Sequence, residues 1–404
     1  MTDRYRQQGN DGLRPGGEPF GELCGKIALL VADDAFALTH LQPVLAVLKE
    51  AAHTVVVITR SSGRLDEIEA LGVRVIDFDY LQSLGHPARE AACAWTLARI
   101  LEAEDPDVVH LVGAQPTLLA GLALKLVPAT QVVVHLPNLA LLEPAAGRVQ
   151  RLYRTAALRL IGSMLRKPSS YLLVETPDDL AALRAAQADP GARFAILGGP
   201  GVDPQALPAL PLPNNEVPIA AYVGPLSAVK GVDVLMRAGD RLKERGVPIA
   251  LELCEAAEAG HPNAIPDHLI SAWCDRSGGR RPGRVDAAPD LWRRADICVL
   301  PARSRAGMPL ALLQAAACAR PLVVTDVPGC RHFVRNDVEG VVVPPGNDRA
   351  LADALERLAR DPDLRLRMGE AARLRLLHGF TEANVTHALR AAYASMLDSA
   401  RGSS

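Results

Sequence analysis

Two short turns in this sequence carry the residue types that grip phosphate and sugar. The first lies in VGPLSAVKGVD, where a short apolar strand is followed by Gly224, Lys230 and Gly231, with helical spacing from near Val232. A glycine-containing turn entering a helix presents free backbone N–H groups and the positive end of the helix dipole to an anion, and a lysine adds a point charge. A diphosphate fits this arrangement, and so does the plainer use of an ordinary turn with a solvated lysine. The second turn, in RSRAGMPLALLQAAACA, sets Gly307, Met308 and Pro309 ahead of a helix expected from Leu310 to Ala319. That helix start offers donors to an anion or to sugar hydroxyls, and Gln314, one to two turns in, both donates and accepts. Cys318 has no basic neighbour in sequence and reads as a small core residue.

His40 follows a loop, and His110 and His135 end apolar strands. A histidine facing a cleft can orient a hydroxyl or take a proton near neutral pH, although a lone histidine is more often structural. The string Asp77, Phe78, Asp79 has the spacing of a metal pair but sits at a strand end and reads as structural. From Gly147 to Lys167 the chain carries Arg148, Arg151, Arg154, Arg159, Arg166 and Lys167 with no acid, interleaved with Leu152, Tyr153, Ala156, Leu160, Ile161 and Met164 at helical spacing. Such a basic amphipathic helix suits an anionic membrane surface, or a core-packed helix with a solvated basic face.

These residues must be positioned by the elements around them. From Lys26 the pattern alternates: KIALLVA, HTVVVIT, RVIDFD, DVVHLVG and QVVVHL are short apolar runs separated by segments with helical spacing. Continuous Val/Ile runs are what strands buried on both faces need, so a doubly wound parallel sheet is expected. The Pro-rich stretch PQALPALPLPNNEVP resists both helix and strand, and after it a second series of the same grammar begins with IAAYVG. The expected organisation is a disordered leader over 1–25, a first Rossmann-like half over 26–203, a linker over 204–217, a second half over 218–380, and a helix and tail over 381–404 that could cross back to the first half. Two such halves face each other across a cleft, and ligands bind at the carboxyl ends of the strands.

Composition narrows the function. A chain of 404 residues with 49% apolar and 22% charged residues is neither disordered nor a coiled coil, and a net charge of −2 speaks against nucleic acid as a partner. Seven cysteines without a CxxC pair fit a disulfide framework poorly and point to a reducing, cytoplasmic setting. No apolar run reaches the roughly 18–20 residues of a membrane span.

The second half resembles the donor domain of the family-4 GT-B glycosyltransferases, above all bacterial enzymes that extend lipid-linked saccharides or build capsule and exopolysaccharide. The likeness is carried by AEAGHPNAIPDHLISAW, GRVDAAPDLWRRADICVLPA and RPLVVTDVPGCRHFVRNDVEGVVVPPGN, and in the first half by AFALTHLQP, DPDVVHLVGAQPTLLAGLA and LVETPDDLAAL. It covers Lys26 to about Leu397. The resemblance implies a GT-B fold and transfer of a sugar from a nucleotide-diphosphate donor in the second half to a saccharide or lipid-linked saccharide in the first, with retention of configuration. It implies no metal and no cofactor beyond that donor. Gly224, Lys230, Arg305, Gly307, Met308, Pro309 and Gln314 fall at its donor site, while His40 and His135 are the catalytic candidates.

Several family positions are changed. Pro225 stands where the family has an arginine on the diphosphate, and Ala306 and Gln314 stand where it has two glutamates. Cys254 and Glu255 replace a Gly-Asp pair, and Gln115 and His332 replace a lysine and a glutamate. Proline cannot reproduce a bidentate guanidinium; Arg303, Arg305 and Arg331 flank the altered positions and are candidates to supply that charge, each otherwise reading as a solvated surface arginine. Two functions follow: an active transferase peripheral to the inner membrane face, or a catalytically degenerate GT-B protein serving as a partner subunit in glycan assembly.

Overall fold

In the computed structural model, residues 24–80, 87–127, 131–139, 141, 147–191, 193–255, 264–284, 288–304 and 307–401 are described. The expected leader lies outside them through residue 23, as do Arg305 and Ala306, whereas Cys24 and Gly25, expected in the leader, instead begin the first strand.

The Val/Ile runs of the first half form a parallel sheet of β1 (Cys24–Asp33), β2 (Ala52–Arg60), β3 (Arg74–Asp77), β4 (Val108–Val112), β5 (Gln131–Leu136), β6 (Ser170–Val174) and β7 (Phe194–Ile196), in the order β3-β2-β1-β4-β5-β6-β7. Between them run α1 (Asp34–His40), α2 (Gln42–Ala51), α3 (Leu65–Glu69), α4 (Pro87–Glu104), α5 (Ala114–Ala123), α6 (Arg148–Leu165) and α7 (Pro177–Ala185). The second sheet holds β8 (Ile219–Val223), β9 (Ala250–Glu255), β10 (Arg280–Arg284), β11 (Ile297–Leu300), β12 (Leu322–Thr325) and β13 (Gly340–Val343), in the order β10-β9-β8-β11-β12-β13. Its helices are α8 (Val232–Glu244), α9 (Asp267–Ser277), α10 (Ala288–Arg294), α11 (Leu310–Ala317), α12 (Pro328–Phe333) and α13 (Asp348–Arg360), followed by α14 (Pro362–Leu377) and α15 (Glu382–Arg401).

Helices on both faces explain the unbroken apolar strands. In β1, Ile27, Leu29 and Val31 enter one core with α2 and α15, whereas Ala28 and Leu30 enter the opposite core with α4, α5 and α6. The last helix thus belongs to the core of the first half: Val385, Leu389, Ala392 and Tyr393 pack there, and the Glu382 N–H bonds Val202 O at 3.0 Å. In each sheet the strand order reverses once, between β1 and β4 and between β8 and β11, which opens a crevice at the carboxyl ends of those strands.

The proline-rich linker is held through its carbonyls. Buried Arg320 donates to Leu210 O (3.1 Å) and Pro211 O (2.8 Å), and Arg373 to Leu207 O (2.7 Å) and Pro204 O (3.2 Å). Planar guanidinium forks suit such a set of acceptors. The linker is therefore fixed against the second half.

Gly231 is the tightest point beneath the crevice. Its φ is +76°, and a Cβ there would lie 1.8 Å from Pro301 O, so β11 and the start of α8 meet backbone to backbone. Gly346 has the same φ with open space around it. Gly346→Ala is expected to lose about 1 kcal/mol, the left-handed cost alone, and Gly231→Ala at least about 3 kcal/mol from strain plus overlap. Urea unfolding checks this, and equal losses would contradict the close approach.

Candidate functional site

The carboxyl ends of the two sheets enclose a cavity of about 570 Å³, within the range of small-molecule sites. From the first half it is lined by Phe36, Thr39 and His40 at the end of α1, by Pro137 and Asn138 after β5, and by Glu175 after β6. From the second come Gly224, Pro225 and Lys230 after β8, Gly307, Met308 and Pro309 before α11, and Gln314 within it. Of the donor-site residues expected from sequence, all but Arg305, which lies outside the described residues, border this one space. Helix α11 stops at Ala317, two residues earlier than expected, with Ala319 at a φ of 56°.

Lys230 is half-buried and has no carboxylate partner among the described residues. The acid nearest in sequence is already committed: Asp233 takes both the Arg303 guanidinium and Arg237 Nη1, the latter at 2.9 Å. With that charge answered, the start of α8 and Lys230 leave a positive corner in the cavity. Arg331 is likewise engaged, with Asp178 at 2.9 Å and Asp326 at 3.1 Å. Pro225 gives only its carbonyl, which accepts the Tyr222 hydroxyl at 2.8 Å. Gln314 makes no side-chain hydrogen bond among the described residues, so its amide is available to a ligand.

His40 stacks on Phe36 with ring centroids 4.6 Å apart, and its Nδ1 pairs with the Thr39 hydroxyl at 2.7 Å. Burial, then the Lys230 charge across the cleft, lowers its pKa to about 4 against the opposing pull of Asp33. It is a neutral imidazole at pH 7, able to accept a proton or orient a hydroxyl. His135 is set deeper: it is 4% exposed and borders a smaller cavity beside the cleft with His40, Glu175 and Val385. Its ring lies 5.6 Å from that of His110, whose Nδ1 pairs with the Tyr393 hydroxyl of α15 at 2.8 Å. Burial lowers His135 to about 4 and, with His135 beside it, pushes His110 well below the usual range.

Glu175 is the lining residue that sequence reasoning passed over. It is buried, and its Oε2 accepts the Met308 N–H from the other half at 2.5 Å. An acid directly after the apolar run YLLV, at the carboxyl end of a parallel strand, is the signal that could have found it. Other altered positions lie apart from this cavity: Gln115 borders an apolar groove of about 240 Å³ between α5 and α6, and Glu255 is paired with Arg281 at 2.8 Å. Asp77 accepts the Ser61 N–H at 3.1 Å, and no cluster of metal-ligating side chains occurs among the described residues.

Helix α6 forms where expected, but of the apolar residues read as one face only Ile161 and Met164 are buried and Leu160 half-buried, while Leu152, Tyr153 and Ala156 are exposed. Ala157, Leu158, Ile161, Met164 and Leu165 are buried while Arg151, Leu152, Tyr153, Arg159 and Arg166 are exposed. Arg151, Arg159, Arg166 and Lys167 have no ion-pair partner among the described residues, on a protein whose other surface arginines are largely paired.

Two doubly wound parallel sheets with their carboxyl ends facing one shared cavity define a two-domain Rossmann-like architecture, and comparison with known proteins places it in a family. Residues 38–198 match the glycosyl transferase 4-like domain and residues 217–361 match glycosyl transferases group 1. The chain belongs to the family-4 GT-B glycosyltransferases. It is 35% identical over 162 residues to alpha-D-kanosaminyltransferase of Streptomyces kanamyceticus, covering 39% of this chain and 40% of that one. It is 30% identical over 211 residues to D-inositol 3-phosphate glycosyltransferase 1 of Catenulispora acidiphila, half of each chain. The match thus spans half or less of these curated relatives. Among solved structures, the sucrose-phosphate synthase of Thermosynechococcus elongatus superposes with a TM-score of 0.75 at 18% identity, covering 93% of this chain and 99% of that one. Anabaena Alr3699/HepE, in complex with UDP and glucose, gives 0.73 at 15% identity, covering 92% and 100%. These share the fold.

The histidines set an acid limit on stability. A group at about 4 folded and about 6.5 unfolded binds fewer protons in the folded chain, so stability falls as pH drops through that window. From pH 7 to 5, His135 alone accounts for about 2 kcal/mol. His135→Asn is expected to flatten the decline of Tm over that range, and an unchanged slope would contradict the assignment.

Proposed function

We propose that this protein transfers a sugar from a nucleoside diphosphate, bound against the second half, to an acceptor held by the first. The observation that carries this reading is the Lys230 ammonium just ahead of α8, without a carboxylate partner among the described residues, in a cavity lined by apolar side chains and by the hydrogen-bonding groups of Thr39, His40, Asn138, Glu175 and Gln314. As the glycosidic bond breaks, negative charge grows on the leaving diphosphate, and a fixed cation with helix-terminal N–H groups stabilises it most when that charge is greatest. Retention of configuration is the outcome we assign, as the family resemblance implies. His40, neutral and facing Lys230 across the cleft, is placed to orient a hydroxyl or accept its proton. His135, one layer behind, supports that wall.

For the acceptor we assign a saccharide, lipid-linked or polymeric, in cell-surface glycan synthesis. Arg151 and Arg159 of α6 and Arg166 and Lys167 just beyond it, without ion-pair partners among the described residues, support attachment to the inner membrane face, and the apolar groove beside that helix, bordered by Leu118, Leu119, Leu122 and Leu160, supports a lipid component. No described helix is long and apolar enough to cross a membrane. The seven free cysteines accord with a reducing compartment. A role as a non-catalytic partner subunit has one observation in its favour: Pro225 offers no charge, and Arg303 and Arg331, two candidates to replace it, are tied to carboxylates.

Calorimetric titration with UDP, GDP and their common sugar conjugates separates the two. Saturable micromolar binding is expected, weakened about 10- to 100-fold in Lys230→Ala by loss of one charge-assisted contact. Absence of binding at millimolar ligand would overturn the transferase reading in favour of the partner subunit.

A further inference from the structure

Glu175 borders both the large cavity and the smaller one beside it, and it is 6% exposed. One carboxyl oxygen, Oε2, is fixed on the Met308 N–H across the domain boundary. The other has no hydrogen-bond partner among the described residues, and no cation pairs with the group. Gly307 presses the same spot from the second half: a Cβ there would lie 1.9 Å from Pro137 O and 2.5 Å from Glu175 Oε2, so any side chain at 307 would undock the carboxyl.

A buried carboxyl without a counter-ion holds its proton. Burial is the main cause here; the Met308 N–H opposes it, Asp179 adds to it, and the net effect sets the pKa of Glu175 well above the usual carboxyl range. With Oε2 occupied as an acceptor, the O–H is left to the second oxygen. Thr39, His40, Asn138 and Gln314, which line the cavity with it, are also uncharged near neutral pH. Such a wall complements a polyhydroxylated ring, while the charged end of a ligand belongs at Lys230.

We propose that Glu175 is a sugar-binding residue supplied by the first half: anchored through Oε2 on the Met308 N–H, it donates a hydrogen bond from its other oxygen to a hydroxyl of the sugar being transferred. The assignment rests on the glycosyl-transfer reading above. It makes a residue of the facing half part of the donor site, so the sugar is fully held only when the Met308 turn is docked.

The test uses the full chain with whichever nucleotide sugar the wild type turns over, and compares Glu175→Ala with Glu175→Gln. Alanine is expected to lower kcat/KM for the donor ten- to a hundredfold while the affinity for the sugar-free nucleoside diphosphate stays within twofold. Glutamine, which still donates but cannot ionise, recovers most of that loss. The pH profile adds a readout that a packing role would not move. Around Glu175 stand Asp179 in α7, the Asp178–Arg331 pair, His40, His135 and Lys230. The histidines titrate on the acid side, and Lys230 is common to both proteins. Wild-type activity therefore falls as alkaline pH ionises Glu175, and Glu175→Gln lacks that limb.

Equal loss of nucleoside diphosphate affinity in Glu175→Ala, unchanged kcat/KM, or an identical alkaline limb in Glu175→Gln would overturn the assignment while leaving glycosyl transfer standing. Failure of the wild type to bind or turn over any donor would overturn both. Should Glu175→Ala not fold, as judged by Tm, the glutamine pH profile decides alone.

Discussion

The architecture of the cleft depends on one backbone contact. Gly307 lies so near Pro137 O that no side chain can be accommodated there, and through this approach the turn before α11 reaches the ends of β5 and β6. A hydrogen bond from Met308 to Glu175 and an ion pair from Arg331 to Asp178 lie on the same seam. The linker, pinned by Arg320 and Arg373, and α15, packed into the core of the first half, then hold the two sheets with their carboxyl ends opposed. Everything proposed for the cavity follows from that opposition.

Charge is distributed with the same economy. Most surface arginines are answered by carboxylates, as in Arg245 with Asp353 and Glu356 or Arg390 with Glu50. Such exposed pairs contribute little stability each, so their use lies in cancelling charge where no partner is wanted. Among the described residues, Lys230 in the cavity and Arg151 and Arg159 on α6 have no such partner. The first suits a diphosphate and the second an anionic surface, and they lie on different halves of the molecule, as donor and acceptor would.

Much of this was legible in the residues. Continuous Val/Ile runs such as VVVI and VVHLV announced strands buried on both faces, and the prolines from Pro204 to Pro218 marked the change of sheet. The turns holding Gly224, Lys230 and Gly307 were readable because backbone donors and glycine have local signatures. Long-range features were not. RRPGR has no apolar period, yet it forms edge strand β10 because Arg281 meets Glu255 on β9 and a proline is tolerated at an edge. Histidines at strand ends look alike in sequence, but α15, more than 250 residues later, covers His110, and burial beside it places His135 behind the cleft wall. Glu175 escaped notice because its partner, Met308, is 133 residues away.

A crystal structure of the protein grown with UDP or GDP locates the leaving group. The diphosphate is expected in the interdomain cavity, with a phosphate oxygen within hydrogen-bond distance of Lys230 Nζ and the first N–H groups of α8. A nucleotide bound elsewhere, or an empty cavity at millimolar nucleotide, would contradict that placement.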